Sequence, residues 1–403
     1  MEEFEDDFEM ISDDVDDPEI IMLTELGSTL INAILEKEPI SNVRDLIDAG
    51  APLWYQNEEG TSVLHAAAYV ENEQLVKLLI EEGAIWNAVD HLQNTAGDIA
   101  LSLNDAACYT LIRDAGIRSE MLLTLLSSQT SLNPTPSSLV LQGTDNSAVA
   151  STDAFLSSHL RYTRDVHGQD ICLLELDDGQ EVGVMMGWER DIMQKTVEKL
   201  CIDHARRDKG LKVLNVGFGL GIIDDFFQNL STPPALHVIV EPHHDVLAHM
   251  KEQGWYDKKG VSILEGKWQD CIASEALQGF GKFDVIYTDT FSENYSELHT
   301  FFKHLRELLA GPESRFSFFN GLGATSAFVF KLYITPNLTH LQDVLFYDVY
   351  THLSELHLAE AGLDVAWSDV DVSSQKDEER WGETRKYFSL PIYRLPIAWS
   401  KAN

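Results

Sequence analysis

A glycine-rich turn followed by a distant acid is the first feature of this sequence that suggests chemistry. The apolar residues 213–216 lead into a turn at 217–221 with three glycines, and a helical pattern begins at Ile222. Glycines at a strand-to-helix turn let the backbone approach a ligand closely, with N–H groups of the helix facing it. Glu241 ends the next apolar run, about 20 residues further on, where an acid can accept the hydroxyl groups of a ribose. The pattern predicts a site for a dinucleotide or for S-adenosylmethionine.

The charges after the glycine turn favour one of these two ligands. Asp224 and Asp225 open the helix, and no Lys or Arg stands between the turn and Glu241. This acidity would oppose a pyrophosphate, whereas the cationic sulfonium of S-adenosylmethionine tolerates acidic surroundings. Trp268, after the third apolar run, is of a type that could cover an adenine, although an isolated tryptophan more often belongs to a core. These residues favour the methyl donor.

Strand and helix patterns alternate along the second half of the chain. Five apolar runs are separated by amphipathic stretches, at residues 211–216, 236–241, 261–264, 283–289 and 315–320. This alternation predicts a mostly parallel sheet with helices on both faces. Such a sheet places its ligands outside the carboxyl ends of its strands. We therefore expect Asp289, at the end of the fourth run, to lie at a ligand site.

Further extended segments flank the predicted sheet. The stretches 171–176 and 181–186, joined by the turn 177–179, predict a hairpin before it. Segments near 363–372 and 387–395 predict an antiparallel edge at its end.

A period of 33 residues marks the N-terminal part of the chain. Gly50, Gly83 and Gly116 recur at this spacing, which is the length of an ankyrin repeat. Each glycine is predicted to take the left-handed position after the second helix of a repeat. His65 is predicted to bond turn backbone rather than to act as a catalyst or ligand. This all-α, ankyrin-type module is expected to recognise a partner or substrate.

Composition limits the compartment and the partners. The net charge is −37, and residues 1–20 contain eleven acids and no Lys or Arg; this segment is predicted to be a disordered tail, unlike a signal or transit peptide. Such acidity opposes direct nucleic-acid binding and either attracts basic partners or only maintains solubility. No uninterrupted apolar run approaches the roughly 18 residues that span a membrane. Four separated cysteines without a CxxC pair argue against a zinc site and favour a reducing compartment, so cytoplasm and nucleus are predicted.

Several separate motifs resemble one known family. The segments 186–193, 213–221, 266–270 and 283–290 resemble guanidinoacetate N-methyltransferase, and 385–391 is similar to its closing strand. The likeness covers roughly residues 180–395 and keeps the motif order. With the acidic tail and the repeats, the chain resembles the type IV protein arginine N5-methyltransferases of fungi and plants. This resemblance implies an α/β, Rossmann-like methyltransferase domain with a mostly parallel seven-stranded sheet, preceded by the ankyrin-type module.

The predicted organisation has four parts. They are an acidic tail at 1–20, repeats at 21–126, a linker at 127–152 and the methyltransferase domain at 153–403. The resemblance implies methyl transfer to the δ nitrogen of an arginine in a basic protein, a large-subunit ribosomal protein. The donor would be S-adenosylmethionine, and no metal is implied.

The resemblance also implies site residues. Glu189 and Asp289 would hold the guanidinium, because two carboxylates can grip it through bidentate hydrogen bonds and accept its proton. Asn215 stands where related enzymes have an acid, so the resemblance does not define the contacts at the methionine end of the donor. The residues implied at the donor site are Tyr162, Met193, Phe218, Gly219, Leu220, Gly221, Ile222, Ile223, Glu241, Pro242, His243, Trp268, Gln269 and Asp289.

Two alternatives remain open from the sequence. The chain could methylate a small guanidino compound, although neither the tail nor the repeats would help to bind a metabolite. It could instead be a non-catalytic scaffold with a donor-binding fold, which Glu189, Glu241, Asp289 and the glycine turn argue against. The histidines 204, 243, 244 and 249 lack a convincing ligand spacing and are predicted to be exposed on helices.

Overall fold

The computed structural model describes residues 18–130, 151–176, 181–322, 344–373, 388 and 390–401. The chain divides into two compact units, Met1–Ser119 and Glu120–Asn403. Most of the predicted tail and linker, and the predicted turn 177–179, lie outside the described residues. The helix that begins at Pro18 contains the last three residues of the predicted tail, because proline favours the first position of a helix.

The first unit is all-α. Its helices are α1 (Pro18–Leu35), α2 (Ile40–Asp48), α3 (Val63–Tyr69), α4 (Glu73–Glu81), α5 (Ala96–Ser102) and the start of α6 (Ala106–Thr130). Isolated bridges between Gln56 and Ser62 and between Val89 and Thr95 close the turns before α3 and α5. Each turn is followed by two helices, α3 and α4 or α5 and the longer α6, so the repeating unit that the 33-residue period predicts is present.

His65 has the structural role that the sequence predicts. Its Nδ1 lies 2.7 Å from Oγ of Ser62, the residue that caps α3. Its Nε2 lies 2.9 Å from the carbonyl oxygen of Asn94, in the turn of the following repeat. The ring therefore joins two consecutive repeats, and it is buried.

Two of the three predicted glycine caps are confirmed. Gly50 and Gly83 follow α2 and α4 with φ of +92° and +96°. Gly116 instead lies inside α6, so the third predicted cap is wrong. A glycine costs a helix interior about 1 kcal/mol relative to alanine, which does not end a helix when residues 117–126 are mostly good helix formers. The helix continues to Thr130, four residues into the predicted linker.

Helix α1 is, among the described helices, the one long and apolar enough to cross a membrane by length and composition. Glu19 and Glu25 interrupt its apolar residues, so the helix contains no uninterrupted apolar run of membrane-spanning length. Its residues Leu30, Ile31 and Ile34 are buried, and the helix contacts α2 and α3. An apolar stripe that packs on neighbouring helices is typical of an amphipathic core helix.

The second unit alternates strands and helices as predicted. Its strands are β1 (Leu160–Arg164), β2 (Asp170–Glu175), β3 (Glu181–Met186), β4 (Lys212–Val216), β5 (Leu236–Glu241), β6 (Val261–Glu265), β7 (Val285–Thr288), β8 (Arg315–Phe318), β9 (Leu363–Asp371) and β10 (Ile392–Ser400). Its helices after α6 are α7 (Thr152–Leu156), α8 (Arg190–Cys201), α9 (Ile222–Gln228), α10 (His244–Glu252), α11 (Trp268–Ile272), α12 (Glu275–Phe280), α13 (Tyr295–Leu308) and α14 (Val344–Glu360).

The main sheet has seven strands in the order β6-β5-β4-β7-β8-β10-β9. Strands β4 to β8 are parallel, and β10 is antiparallel to both β8 and β9. The predicted fold class, with its antiparallel edge, is confirmed. The predicted pairing of β2 with β3 is also present, in a small antiparallel sheet that includes β1.

The strand order creates a crevice between β4 and β7. The chain runs outward from β4 through β5 to β6 and then returns to β7 on the other side of β4. Ligands of open α/β sheets bind where the strand order reverses in this way. Side chains that alternate along the strands pack the two faces: Val213 and Tyr287 belong to one core cluster, and Leu214 and Ile286 to the other.

Candidate active site

The glycine turn lies directly against the end of β7. Gly217 has φ of +90°, and its N–H donates to the carbonyl of Val240 at 2.9 Å. A Cβ at this position would lie 1.9 Å from the carbonyl oxygen of Asp289. Gly221, with φ of +71°, begins α9. Because Gly217 has no side chain, the backbone of the turn can contact the backbone of Asp289.

Glu241 is buried at the end of β5, with 5% of its surface exposed. Its two carboxylate oxygens accept from the N–H groups of Phe218 at 2.9 Å and His243 at 2.8 Å. Burial raises the pKa of Glu241 to about 7, the two hydrogen bonds lower it, and the charge of Asp224 raises it further. The acid predicted to bind a ribose therefore lies at the glycine turn.

The charges of Glu189 and Asp289 act on the same two buried phenols, Tyr287 and Tyr393. Glu189 is 3% exposed, ends the 3-10 turn before α8, and accepts from the N–H of Met186 at 3.0 Å. Burial raises the pKa of both Tyr287 and Tyr393, and the charges of Asp289 and Glu189 raise each further. Burial also raises the pKa of Asp289, and a hydrogen bond with Tyr287 opposes that rise. Two carboxylates thus face one region beside the glycine turn.

Tyr287 is a residue of this region that the sequence reasoning missed. Its hydroxyl lies 3.3 Å from Sδ of Met193, and Tyr287 stands two residues before Asp289, which directly follows the end of β7. Residues two apart on a strand share a face, so this spacing could have identified it. Met193 is buried with Ile222 and Ile223 in the core cluster below the turn.

Tyr162 reaches the glycine turn from β1. Its hydroxyl donates to the carbonyl of Gly219 at 3.3 Å, and its ring stacks on His249 with centroids 3.8 Å apart. Sδ of Met185, a second contact that was not predicted, accepts from the N–H of Leu220 at 3.2 Å.

A cavity of about 870 Å³ lies on the side of the turn that faces β1 and β2. Its lining includes four of the predicted donor residues, Tyr162, Phe218, Leu220 and Ile222. Glu241, Trp268 and Asp289 do not line it. The predicted donor residues therefore divide between this cavity and the crevice at the strand ends.

Trp268 and Gln269 secure the loop that follows β7. The indole of Trp268 is 4% exposed and meets Phe301 edge-on, and its N–H donates to Glu293 at 2.8 Å. The side-chain amide of Gln269 donates to Glu293 at 3.2 Å and to Glu297 at 2.8 Å. In this structure Trp268 is a core aromatic, the alternative that the residue type alone favours.

His243 is buried, so its predicted exposure on a helix is wrong. Its Nδ1 accepts from the N–H of Asp245, and its Nε2 lies 3.1 Å from the carbonyl of Phe155. The preceding Pro242 is half-buried. His204 is also buried, and it lies in a turn after α8. A capping role and packing against Phe155 account for His243, and neither follows from its spacing to other histidines.

Asp224, one of the two acids expected to oppose a pyrophosphate at the turn, lies in the interior of the domain. Its side chain is fully buried, and both of its oxygens lie 2.9 Å from Nδ2 of Asn215. One oxygen also lies 2.9 Å from Nε2 of His237. Its charge therefore acts on the site from below the glycine turn.

Two groups among the described residues have a composition that could hold a metal ion. They are His159, His244 and Asp245, and His299, His357 and Glu360, with ligand atoms within 4.8 Å of one another. Neither group includes a residue of the glycine turn, Glu189 or Asp289.

Comparisons with known proteins identify the family. A family model for guanidinoacetate N-methyltransferase matches residues 178–314, and one for ankyrin repeats matches residues 31–80. Proteins named "protein arginine N-methyltransferase 2" are 36% identical in Cryptococcus neoformans (93% of this chain, 96% of the relative) and 36% identical in Emericella nidulans (80% and 77%). This chain belongs to the protein arginine N-methyltransferase 2 family. A member from Yarrowia lipolytica is 43% identical over 54% of this chain and 42% of its own.

Membership of the protein arginine N-methyltransferase 2 family makes this chain a methyltransferase, and the donor of such enzymes is S-adenosylmethionine. The residues present fit that donor. Gly217, Gly219 and Gly221 all have positive φ, which gives a sharp turn without side chains at these positions, and the Glu241 carboxylate ends β5 beside it. Backbone N–H groups and an acid at this point suit the ribose and the amino-acid end of the donor.

Proposed function

We propose that this chain methylates the δ nitrogen of an arginine in a basic protein, with a large-subunit ribosomal protein as the substrate. The observation that carries the proposal is the backbone contact between Gly217 and Asp289, together with Glu189, a second buried carboxylate whose charge acts with that of Asp289 on Tyr287 and Tyr393. The names of the relatives support an arginine substrate. The resemblance to the type IV enzymes supports the δ nitrogen and the ribosomal protein.

Two carboxylates suit a guanidinium for a physical reason. A guanidinium is planar, resonance-stabilised and protonated in water, so its nitrogens are poor nucleophiles. Glu189 and Asp289 would accept bidentate hydrogen bonds from the outer N–H groups of the guanidinium and so fix the orientation of its plane. The inner nitrogen would then face the glycine turn, since Gly217 contacts the backbone of Asp289. This is catalysis by positioning.

The same carboxylates can accept the proton that the nitrogen loses. As the nitrogen forms its new bond it loses resonance, and its proton becomes acidic. Burial raises the pKa of Asp289 above its usual range, which brings this carboxylate closer to the basicity that suits a proton acceptor near neutral pH. Bound S-adenosylmethionine supplies an electrophilic methyl group. The backbone of the turn and Glu241 would hold it, with Glu241 accepting from the ribose hydroxyls.

Charge supports a basic protein as the substrate. The whole chain has a net charge of −37, and opposite charge accelerates and orients the encounter of two proteins. We also propose that the ankyrin-type unit contributes to substrate recognition. The four cysteines are free and buried, which supports our proposal of a location in cytoplasm and nucleus.

The test uses the full-length protein with labelled S-adenosylmethionine. Total basic ribosomal proteins and guanidinoacetate are offered as acceptors in parallel, and the modified residue is fragmented by mass spectrometry. The proposal expects label on a protein arginine at the δ nitrogen. Label on guanidinoacetate alone, or on the terminal nitrogens of arginine, would contradict it. Donor binding without transfer to any acceptor would support the scaffold instead.

A further inference from the structure

A buried polar cluster lies directly beneath the glycine turn. Asn215 on β4, Asp224 on α9 and His237 on β5 are each 0% exposed. Nδ2 of Asn215 lies 2.9 Å from both carboxylate oxygens of Asp224 and 2.8 Å from the carbonyl oxygen of Gly217. Burying polar groups costs free energy unless they are paired. A cluster in this position is therefore a feature that the fold has to satisfy.

The chemistry of Asp224 fixes the orientation of the Asn215 amide. A carboxylate only accepts hydrogen bonds, so the NH₂ side of the amide must face it. One of the two amide hydrogens can serve the carbonyl of Gly217 and the other the carboxylate. His237, on the neighbouring strand β5, also limits the position of Asp224. Its Nε2 lies 2.9 Å from Oδ1 of Asp224, and its Nδ1 lies 2.9 Å from the side-chain amide of Gln228.

Gly217 is the point where this cluster meets the site. Its N–H is bound to Val240, its α-carbon touches the carbonyl of Asp289, and its own carbonyl is held by Asn215. The N–H of Gly217 is thus contacted by β5, its α-carbon by Asp289 at the end of β7, and its carbonyl by the buried cluster. Any displacement of the Gly217 carbonyl would change the distance between the turn and Asp289.

We propose that Asn215 and Asp224 form a positioning pair: the Asn215 amide transmits the location of the buried Asp224 carboxylate to the Gly217 carbonyl, and so sets the glycine turn against Asp289. This inference rests on the proposed function, because it assigns the turn to the donor and Asp289 to the acceptor. Neither residue touches the substrate. The amide stands on β4 and the acid on α9.

Two further observations support a role beyond stability. The charge of Asp224 raises the pKa of Glu241, the acid at the ribose position, and that of Tyr287, between the two carboxylates. The oxygen Oδ1 of Asn215 is buried and has no hydrogen-bond partner among the described residues. A buried acceptor without a partner costs free energy, so the orientation of the amide is maintained against that cost by its NH₂ contacts.

The test exchanges the two side chains. Asn215→Asp places a second carboxylate against Asp224 and removes the amide donor, so binding of S-adenosylmethionine at pH 8 should weaken by at least about tenfold. Turnover should fall by about a hundredfold, the effect of misplacing reacting groups by roughly 1 Å. The double variant Asn215→Asp with Asp224→Asn again has one acid and one amide, which removes the like-charge contact, but the carboxylate at 215 still cannot donate to the Gly217 carbonyl. It should therefore fold like wild type and keep the weak donor binding of Asn215→Asp.

Controls separate positioning from folding. Asp364→Asn removes one acidic charge at an exposed acid on β9 near Lys401, and should leave donor affinity and turnover unchanged. Circular dichroism reports folding, and the Michaelis constants for donor and protein acceptor are measured separately. Positioning predicts that the donor constant rises while the acceptor constant changes little. If Asn215→Asp does not fold, the double variant is compared with Asp224→Asn, which keeps the amide donor to Gly217, and equal donor affinity in the two would reject the pair.

Other outcomes also overturn the inference. A double variant that recovers wild-type donor affinity would exclude the contact of the Asn215 amide with the Gly217 carbonyl as the positioning element. Wild-type affinity in folded Asn215→Asp would show that the cluster only stabilises the fold. Both outcomes leave the proposed function intact, whereas failure of the wild-type protein to bind S-adenosylmethionine would reject that function itself.

Discussion

A methyl group added at Gly217 tests the contact between the glycine turn and Asp289. The Cβ of Gly217→Ala would lie 1.9 Å from the Asp289 carbonyl oxygen, and real Cβ contacts stay above 3.0 Å, so the turn and β7 must separate by about 1.1 Å. A displacement of roughly 1 Å at reacting groups costs about a hundredfold in rate. This corresponds to about 2.7 kcal/mol of activation free energy. Alanine at φ of +90° adds roughly 1–2 kcal/mol of strain to the folded state.

Gly254→Ala is the matched control. Gly254 has φ of +73°, and an added Cβ there has nothing within 4 Å. It should therefore lose stability by roughly 1–2 kcal/mol and keep its turnover. Chemical denaturation and single-turnover methyl transfer at saturating donor measure the two quantities. If Gly217→Ala has the same turnover as Gly254→Ala, the backbone contact with Asp289 does not set the reaction geometry.

Further predictions concern single groups and the tail. Asp289→Asn should bind S-adenosylmethionine normally in calorimetry yet lose transfer by about 10²–10⁴-fold, and near wild-type turnover would contradict its role. Donor affinity should rise with pH and level off above about 7, the pKa of Glu241, because the charged carboxylate accepts the ribose hydroxyls; Glu241→Gln should remove this dependence. The raised pKa also means that Glu241 lowers folding stability as pH rises from about 4.5 to 7. Deletion of residues 1–20 should raise the Michaelis constant for a protein acceptor but not for a free-arginine analogue, and equal effects would exclude docking. His65→Ala should destabilise the first unit by about 1–3 kcal/mol in thermal unfolding, because it removes the contacts of the ring with Ser62 and with the Asn94 carbonyl; an unchanged transition would contradict this.

Short-range patterns in the sequence determined the architecture. The alternation of apolar runs and amphipathic stretches predicted the sheet, because each element must bury one face within a few residues of chain. The 33-residue period predicted the repeats and the role of His65, whose cap on α3 involves residues three apart. The spacing from the glycine turn to Glu241 predicted that they meet, because both follow parallel strands that end at the same edge.

Only the tertiary structure decided which polar side chains face the crevice. Asp224 and Asp225 are adjacent acids in the sequence, yet the first is buried against Asn215 and His237, and the second is partly exposed beside Lys258. The two residues are consecutive on the short helix α9. The packing of that helix on the strands of the sheet determines which of the two side chains is buried. Trp268 and His243 were placed by Phe301 and Phe155, which are 33 and 88 residues away in the chain. Residue type and spacing do not identify such distant neighbours. The burial, the contact partners and the charged surroundings of these side chains therefore depend on packing.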